Sequence, residues 1–210
     1  MAELKAVLFD LDGTLLDSFH LHYAAYETMF GHFGIVMSRE LFLSTYSPNW
    51  YRTYEAFGLD KEHWERANAM WLEVAATHSP NLFPGVADVL TDLGSRYSLA
   101  IVTSGSKARV LRDLARLDIA SHFSTVITGD DITEPKPAPE GLEIALEHLG
   151  VSSNEAVYVG DAFADFEMAR AAGVSFVGVA SEFANLSNQH PEYEIYTISS
   201  LPEVIDRIHL

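Results

Sequence analysis

Residues 6–18 read Ala-Val-Leu-Phe-Asp-Leu-Asp-Gly-Thr-Leu-Leu-Asp-Ser. The apolar run Ala6, Val7, Leu8, Phe9 is too short for a helix interior and spells a buried strand. Asp10 and Asp12 follow at spacing two, then Gly13 to bend the chain and Thr14 to add a hydroxyl. Strand alternation carries both carboxylates to one side, where like charges repel unless a cation or a proton intervenes. Such a pair is hard to explain as scaffold. An EF-hand loop also begins Asp-x-Asp, but it needs Gly at its sixth position and Glu at its twelfth. Counted from Asp10 those positions hold Leu15 and Leu21, which excludes it.

Around this stretch, 210 residues leave room for a full core plus an insertion. No apolar run approaches the roughly 20 residues that span a bilayer, and Met-Ala-Glu-Leu-Lys lacks the apolar region of a signal peptide. The chain has no cysteine, which excludes thiol chemistry and suits a cytoplasmic protein. With 13 Lys and Arg against 30 Asp and Glu, the net charge is −17. Nucleic acid and anionic membrane surfaces are therefore not expected partners, and an anionic substrate needs a local positive site.

Between 17 and 80 the spacing is helical, with helices expected over 18–34, 38–46, 50–57 and 61–77 and a break at Ser47-Pro48-Asn49. Ser38 is placed to cap the second of them. The many rings here read as the core of a small bundle. From Pro84 the texture changes to helices over 85–96, 107–117, 139–149 and 163–172, alternating with strands over 99–102, 125–128, 156–159 and 176–179. That alternation predicts an α/β fold, a Rossmann-like parallel sheet flanked by helices. The expected division is a core from 1–16 and 81–210 with a helical domain, 17–80, inserted in it.

Ligands of such sheets bind at the carboxyl ends of the strands. There the chain carries Asp10 and Asp12, then Thr103, Ser104, Gly105 and Ser106, then Lys136 between Pro135 and Pro137, then Gly160, Asp161 and Asp165. Each has a bland reading. The serines could cap a helix, Lys136 could be solvated, Asp161 could be an N-cap, and Asp165 could offset a helix dipole. All would have to hold at four strand ends together. Clustered carboxylates suit Mg²⁺, which favours a couple of carboxylates plus waters and a phosphate. Hydroxyls and free amides at a helix start cradle phosphate, and Lys136 adds a fixed cation. Those parts suit phosphoryl transfer, with one Asp as nucleophile and another moving protons.

Four segments carry a family resemblance: Asp10-Leu-Asp12-Gly-Thr, Val102-Thr103-Ser104-Gly105-Ser106, Lys136-Pro137-x-Pro139 and Gly160-Asp161-x-x-x-Asp165. In order and spacing they resemble the haloacid dehalogenase superfamily, in its phosphoglycolate-phosphatase-like and β-phosphoglucomutase-like group. The resemblance implies a helical cap inserted after the first motif. It implies Asp10 as nucleophile and metal ligand, and Asp12 as acid/base that also lends its backbone carbonyl to Mg²⁺. Asp161 would ligate the metal, with Asp165 supporting through water or Lys136. Thr103 and Ser104 share the second motif, Ser104 being preferred for phosphate, with Gly105 and Lys136 completing that site. Asp12 argues for phosphate chemistry over dehalogenation.

The implied activity is Mg²⁺-dependent hydrolysis of a small phosphomonoester, of phosphoglycolate or sugar phosphate type, through an aspartyl-phosphate, by a monomer or homodimer. The alternatives are a β-phosphoglucomutase-like mutase and a catalytically silent binding protein. In the family a cap loop faces the site; here it falls at 46–52 and offers one cation, Arg52, for the substrate's non-transferred part. Mutases carry a more basic loop, which favours a hydrolase. A phosphonate hydrolase needs a cap lysine, and Lys61 is the only one. Hinges are expected near Leu16-Asp17 and 80–84.

Overall fold

All four side chains of β1 (Ala6–Phe9) are fully buried, because the strand has neighbours on both edges and helices over both faces. The structure, a computed structural model, describes residues 3–46, 50–77, 79–180 and 191–208. β1 pairs in parallel with β4 (Ser98–Val102) on one side and β6 (Ala156–Gly160) on the other. Outside them lie β5 (Thr125–Ile127), β7 (Ser175–Val179) and β8 (Tyr193–Ile195), giving the parallel order β5-β4-β1-β6-β7-β8.

The two-residue period of β1 divides the core. Val7 and Phe9 join a cluster with Val86, Leu90 and Leu93 of α5 (Val86–Gly94) and Val110 and Leu114 of α6 (Lys107–Arg116). Ala6 and Leu8 face Leu142 and Leu146 of α7 (Glu140–Leu149) and Met168 and Ala169 of α8 (Phe163–Ala172). Each fully buried Leu, Val or Phe contributes about 1.5–3 kcal/mol of transfer free energy. Three layers result, as the βα alternation predicts.

After Gly13, whose φ of +82° only glycine adopts readily, the chain forms β2 (Leu16–Asp17), antiparallel to β3 (Asn81–Leu82). Between these two crossings lie α1 (Phe19–His32), α2 (Arg39–Thr45), α3 (Trp50–Ala56) and α4 (Trp64–Ala76). They share a separate core of Phe19, Tyr26, Met29, Phe30, Phe42 and Tyr54. Ser38 caps α2, its Oγ accepting from Leu41 N at 3.3 Å.

The ribbon β2–β3, strand β8 and the short α9 (Leu201–Ile205) go beyond the expected elements. Two- and three-residue strands are too short to display a period, so only their hydrogen-bond partners define them. Among the described residues no helix is long and apolar enough to cross a membrane.

Candidate active site

At the carboxyl end of β1 the chain stays in the sheet for one residue more, Asp10 N donating to Val159 O at 2.8 Å. It then turns, and the two carboxylates expected to crowd together take separate partners. Asp10 Oδ1 accepts from Lys136 Nζ at 2.6 Å. Asp12 Oδ1 and Oδ2 accept from Nη1 (3.1 Å) and Nη2 of Arg109, with His22 Nε2 at 3.5 Å. Strand alternation ends at Phe9, so it does not govern Asp12.

Asp10, Asp161 and Asp165 each bring a carboxylate oxygen within 4.8 Å of the other two, and all three are buried. Asp161 follows β6, and its Oδ1 accepts from Thr14 Oγ1 at 3.2 Å. Gly13 makes this approach possible, since a Cβ there would stand 2.4 Å from Asp161 Oδ2. Asp165 lies in the first turn of α8, its Oδ2 accepting from Ala162 N at 3.0 Å. It therefore caps the helix and lines the cluster with one carboxylate. Ala162, not Asp161, occupies the N-cap.

Lys136 is 2% exposed, so it is no solvated loop residue. Its Nζ bonds Asp10 Oδ1, Asp165 Oδ1 (2.8 Å) and the Tyr158 hydroxyl (2.8 Å). Tyr158 lies in reach of the Val102 carbonyl at 3.0 Å and Asp165 Oδ1 at 3.1 Å. Its signal in the sequence was a phenol inside an otherwise apolar strand. Two carboxylates share this one ammonium. Burial pushes the Asp10 carboxyl up to about 7, and Asp165 adds to the push against the pull of Lys136. Burial works against the Lys136 charge, yet Asp10 and Asp165 hold its pKa above the usual lysine value. Three carboxylates thus converge beside a single ammonium, and their all-oxygen donor set suits a hard divalent cation.

Asp12 is biased the other way. Burial alone would raise its pKa, but the Arg109 charge, with His22, holds the carboxyl well below the usual range. Its surroundings therefore favour the ionised carboxylate, and the acid role implied for Asp12 needs a proton taken up there.

The loop after β4 carries the hydroxyls that the sequence marks as a candidate phosphate cradle. Thr103 Oγ1 accepts from Gly105 N at 3.3 Å, while the buried Ser104 Oγ has no hydrogen-bond partner. Ser106 stands at the N-cap of α6 without a side-chain cap bond. Ser104 is thus the hydroxyl left for a ligand. A cleft of about 260 Å³ opens here, lined by Asp10, Asp12, Asp161 and the loop 103–106 on the core side. Its other wall comes from α1 (His22, Tyr26), α3 (Trp50, Tyr54) and α4 (Asn68, Trp71, Leu72), each set spaced for one helix face. Burial, followed by the charges around it, pushes the Tyr46 phenol in the same wall far above its usual value.

Arg52 departs from expectation. It is exposed on α3 and does not line the cleft. Trp50 and Tyr54 turn inward four residues apart, so the residue midway between them turns out. Residues 47–49 of the expected cap loop lie outside the described residues. Lys61 opens a short 3-10 turn, Lys61–His63, just before α4, pairing with Glu55 at 3.3 Å and lying over Trp64. Among the described residues, the lysine or arginine that lines the cleft is Arg109, which carried no signal beyond ordinary helix periodicity.

A pyrophosphatase PpaX from Oceanobacillus iheyensis is 31% identical, across 96% of this chain and 97% of its own length. A phosphoglycolate phosphatase from Neisseria meningitidis is 30% identical, covering 98% and 94% of the two chains. A haloacid dehalogenase-like family hydrolase from Streptococcus pneumoniae shares the fold at a TM-score of 0.81 and 24% identity, covering 98% and 99%. The family model for haloacid dehalogenase-like hydrolases matches residues 7–179, and the chain belongs to that family.

Proposed function

We propose that this protein is a Mg²⁺-dependent phosphatase that hydrolyses a small phosphomonoester, of phosphoglycolate or sugar phosphate type, through an aspartyl-phosphate on Asp10. The observation that carries the reading is the convergence of Asp10, Asp161, Asp165 and Lys136 beside the unpartnered Ser104 hydroxyl. The relatives named as pyrophosphatase and phosphoglycolate phosphatase support it. The reading brings with it a small phosphorylated metabolite as partner and a cytoplasmic location.

Asp10, Asp161 and Asp165 would hold Mg²⁺, with Asp12 contributing its backbone carbonyl. Bound there, the ion would neutralise charge on the phosphoryl oxygens. Ser104 Oγ and the amides of the loop through Gly105 receive the phosphoryl oxygens, with Thr103 bracing the turn. Lys136 holds Asp10 Oδ1, leaving Oδ2 to attack phosphorus as the bond to the ester oxygen breaks. That oxygen leaves with a proton from Asp12. Water then attacks the aspartyl-phosphate, giving its proton back to Asp12 and releasing phosphate. Asp12 is ionised on Arg109 and His22 in this structure, so it takes up a proton before serving as the acid.

The segment 17–80 acts as a cap that closes over the core formed by 1–16 and 81–210, bending at the β2–β3 ribbon. Phosphate release from a panel of phosphomonoesters, with Mg²⁺ or with EDTA, tests the function. Mg²⁺-dependent release that Asp10→Asn abolishes supports it; no release from any ester overturns it in favour of a mutase or a binding protein.

A further inference from the structure

The cleft must receive an anion in a chain of net charge −17, and among the described residues lining it Arg109 is the sole lysine or arginine. Lys136 is spent on Asp10 and Asp165 beneath the cleft. The Arg109 side chain is only 11% exposed, and its guanidinium is held from several sides. Nη1 and Nη2 bond the two oxygens of Asp12. Asp113, one turn further along α6 and fully buried, lies 3.8 Å from Nη1, and its Oδ2 makes no hydrogen bond. Gly105 of the phosphate loop gives the guanidinium room, since a Cβ there would stand 2.3 Å from Nη2. A cation so placed touches the phosphate loop on one side and the expected proton donor on the other.

A plain structural role would be to neutralise Asp12 and Asp113. That role does not require the guanidinium to line the cleft or to lie against Gly105. An arginine's planar fork matches an oxyanion with two oxygens. Among the described residues, the wall facing it from α1, α3 and α4 and from Tyr46 is made of phenols, indoles, an amide, Leu72 and the His22 imidazole, and the other charged side chains of the lining are carboxylates, so no second lysine or arginine there could receive an anion.

We propose that Arg109 determines substrate specificity by binding a second anionic group, a carboxylate or a phosphate, carried on the leaving group a few atoms from the scissile ester oxygen. The incoming oxyanion competes with Asp12 for the guanidinium, and Asp113 keeps the side chain in place during the exchange. This inference rests on the phosphatase reading and deepens it. Esters whose leaving group carries a negative charge are preferred over neutral esters of the same size.

The test compares 2-phosphoglycolate with 2-hydroxyethyl phosphate, near-isosteric esters that differ in the terminal charge, in the Mg²⁺-loaded enzyme; pyrophosphate forms a third arm that separates phosphate from carboxylate recognition. Wild type is expected to favour at least one charged substrate by about 10–100-fold in kcat/KM, since a polar site left unmatched discriminates strongly. Arg109→Gln, checked for folding by circular dichroism, loses that preference. Both activities fall when Asp12 loses its partner, so the ratio, with the loss appearing in KM for the charged ester, is the readout that a structural role would not move. Should the Gln variant fail to fold, Arg109→Lys takes its place, and a preference reduced severalfold supports the assignment. Equal rates in wild type, or a preference that survives in the folded variant, overturn it. An enzyme that hydrolyses none of these or any other phosphate ester overturns the phosphatase reading beneath it, a distinct result.

Discussion

In the sheet core the buried side chains are mainly aliphatic, running through Val7, Leu8, Leu90, Ile101, Val157 and Val177. Between Phe19 and Ala76 they are mainly rings: Phe30 lies 4.8 Å from Phe57, and Tyr23 meets Phe42 edge-on at 5.3 Å. The aliphatic core interlocks with a ladder of strands and fixes Asp10, Asp161 and the loop 103–106 at its edge. The ring-packed segment joins that core through two crossings, β2 and β3, and turns phenol and indole edges toward the cleft. The carboxylates and the arginine thus stand on the sheet core, while the facing helices supply phenols, indoles, an amide and the His22 imidazole. Positioning within a fraction of an ångström matters most for the groups that react, and sheet ends hold it best.

The comparison breaks most sharply at Asp10. Asp10→Asn is expected to lower phosphate release about 10⁴-fold or more while leaving the fold intact, read from single-turnover assays and circular dichroism. Retained turnover would remove the chemistry from the sheet edge. Core truncations come next. Phe30→Ala should cost about 3–5 kcal/mol and Leu8→Ala about 2–5 kcal/mol. If the two regions are separable, urea unfolding of the Phe30 variant splits into two steps while that of the Leu8 variant shifts as one. Superimposable single transitions would refute separability.

Metal binding sharpens the picture from the other side. Mg²⁺ at about 100 times its Kd should raise stability by about 2.7 kcal/mol, seen as a thermal shift that EDTA reverses and Asp161→Asn removes. A smaller effect lies far from the cleft, where the Lys5 ammonium bonds Glu155. That hydrogen bond, joined by those from Ser152 N and Oγ, lowers the Glu155 carboxyl from about 4.5 to about 2, so their contribution is present above pH 4.5 and is lost as pH falls toward 2. Lys5→Met should return the Glu155 titration, followed by carboxyl NMR, toward its ordinary value and flatten that pH dependence. Smallest of all is Arg52→Ala. As an exposed residue outside the cleft, it should change stability by less than about 0.5 kcal/mol and leave kcat/KM unaltered.

That last contrast marks how far the sequence reaches. Asp10, Ser104, Lys136, Asp161 and Asp165 were legible because each follows a strand in an alternating pattern, and strand ends of a parallel sheet converge. Arg109, His22, Tyr158 and the aromatic wall were not. They sit inside regular helices or strands, where a functional side chain and a structural one look alike. Arg52 drew attention as the one cation of an expected loop, but helix phase turns it outward between Trp50 and Tyr54. Asp12 was legible, but its partner was not, because that partner is an arginine 97 residues away.

By itself, then, the sequence determined the layered α/β architecture, the insertion of helices after the first strand, and the acid and hydroxyl groups at the sheet's edge. Local period and strand-end position suffice for these, since hydrophobic alternation and parallel topology leave few arrangements. The tertiary structure alone decided which arginine faces the cleft, that Lys136 is buried between two carboxylates, and that Asp12 pairs with Arg109. Burial and long-range charge contacts set those properties, and neither is written in any local pattern.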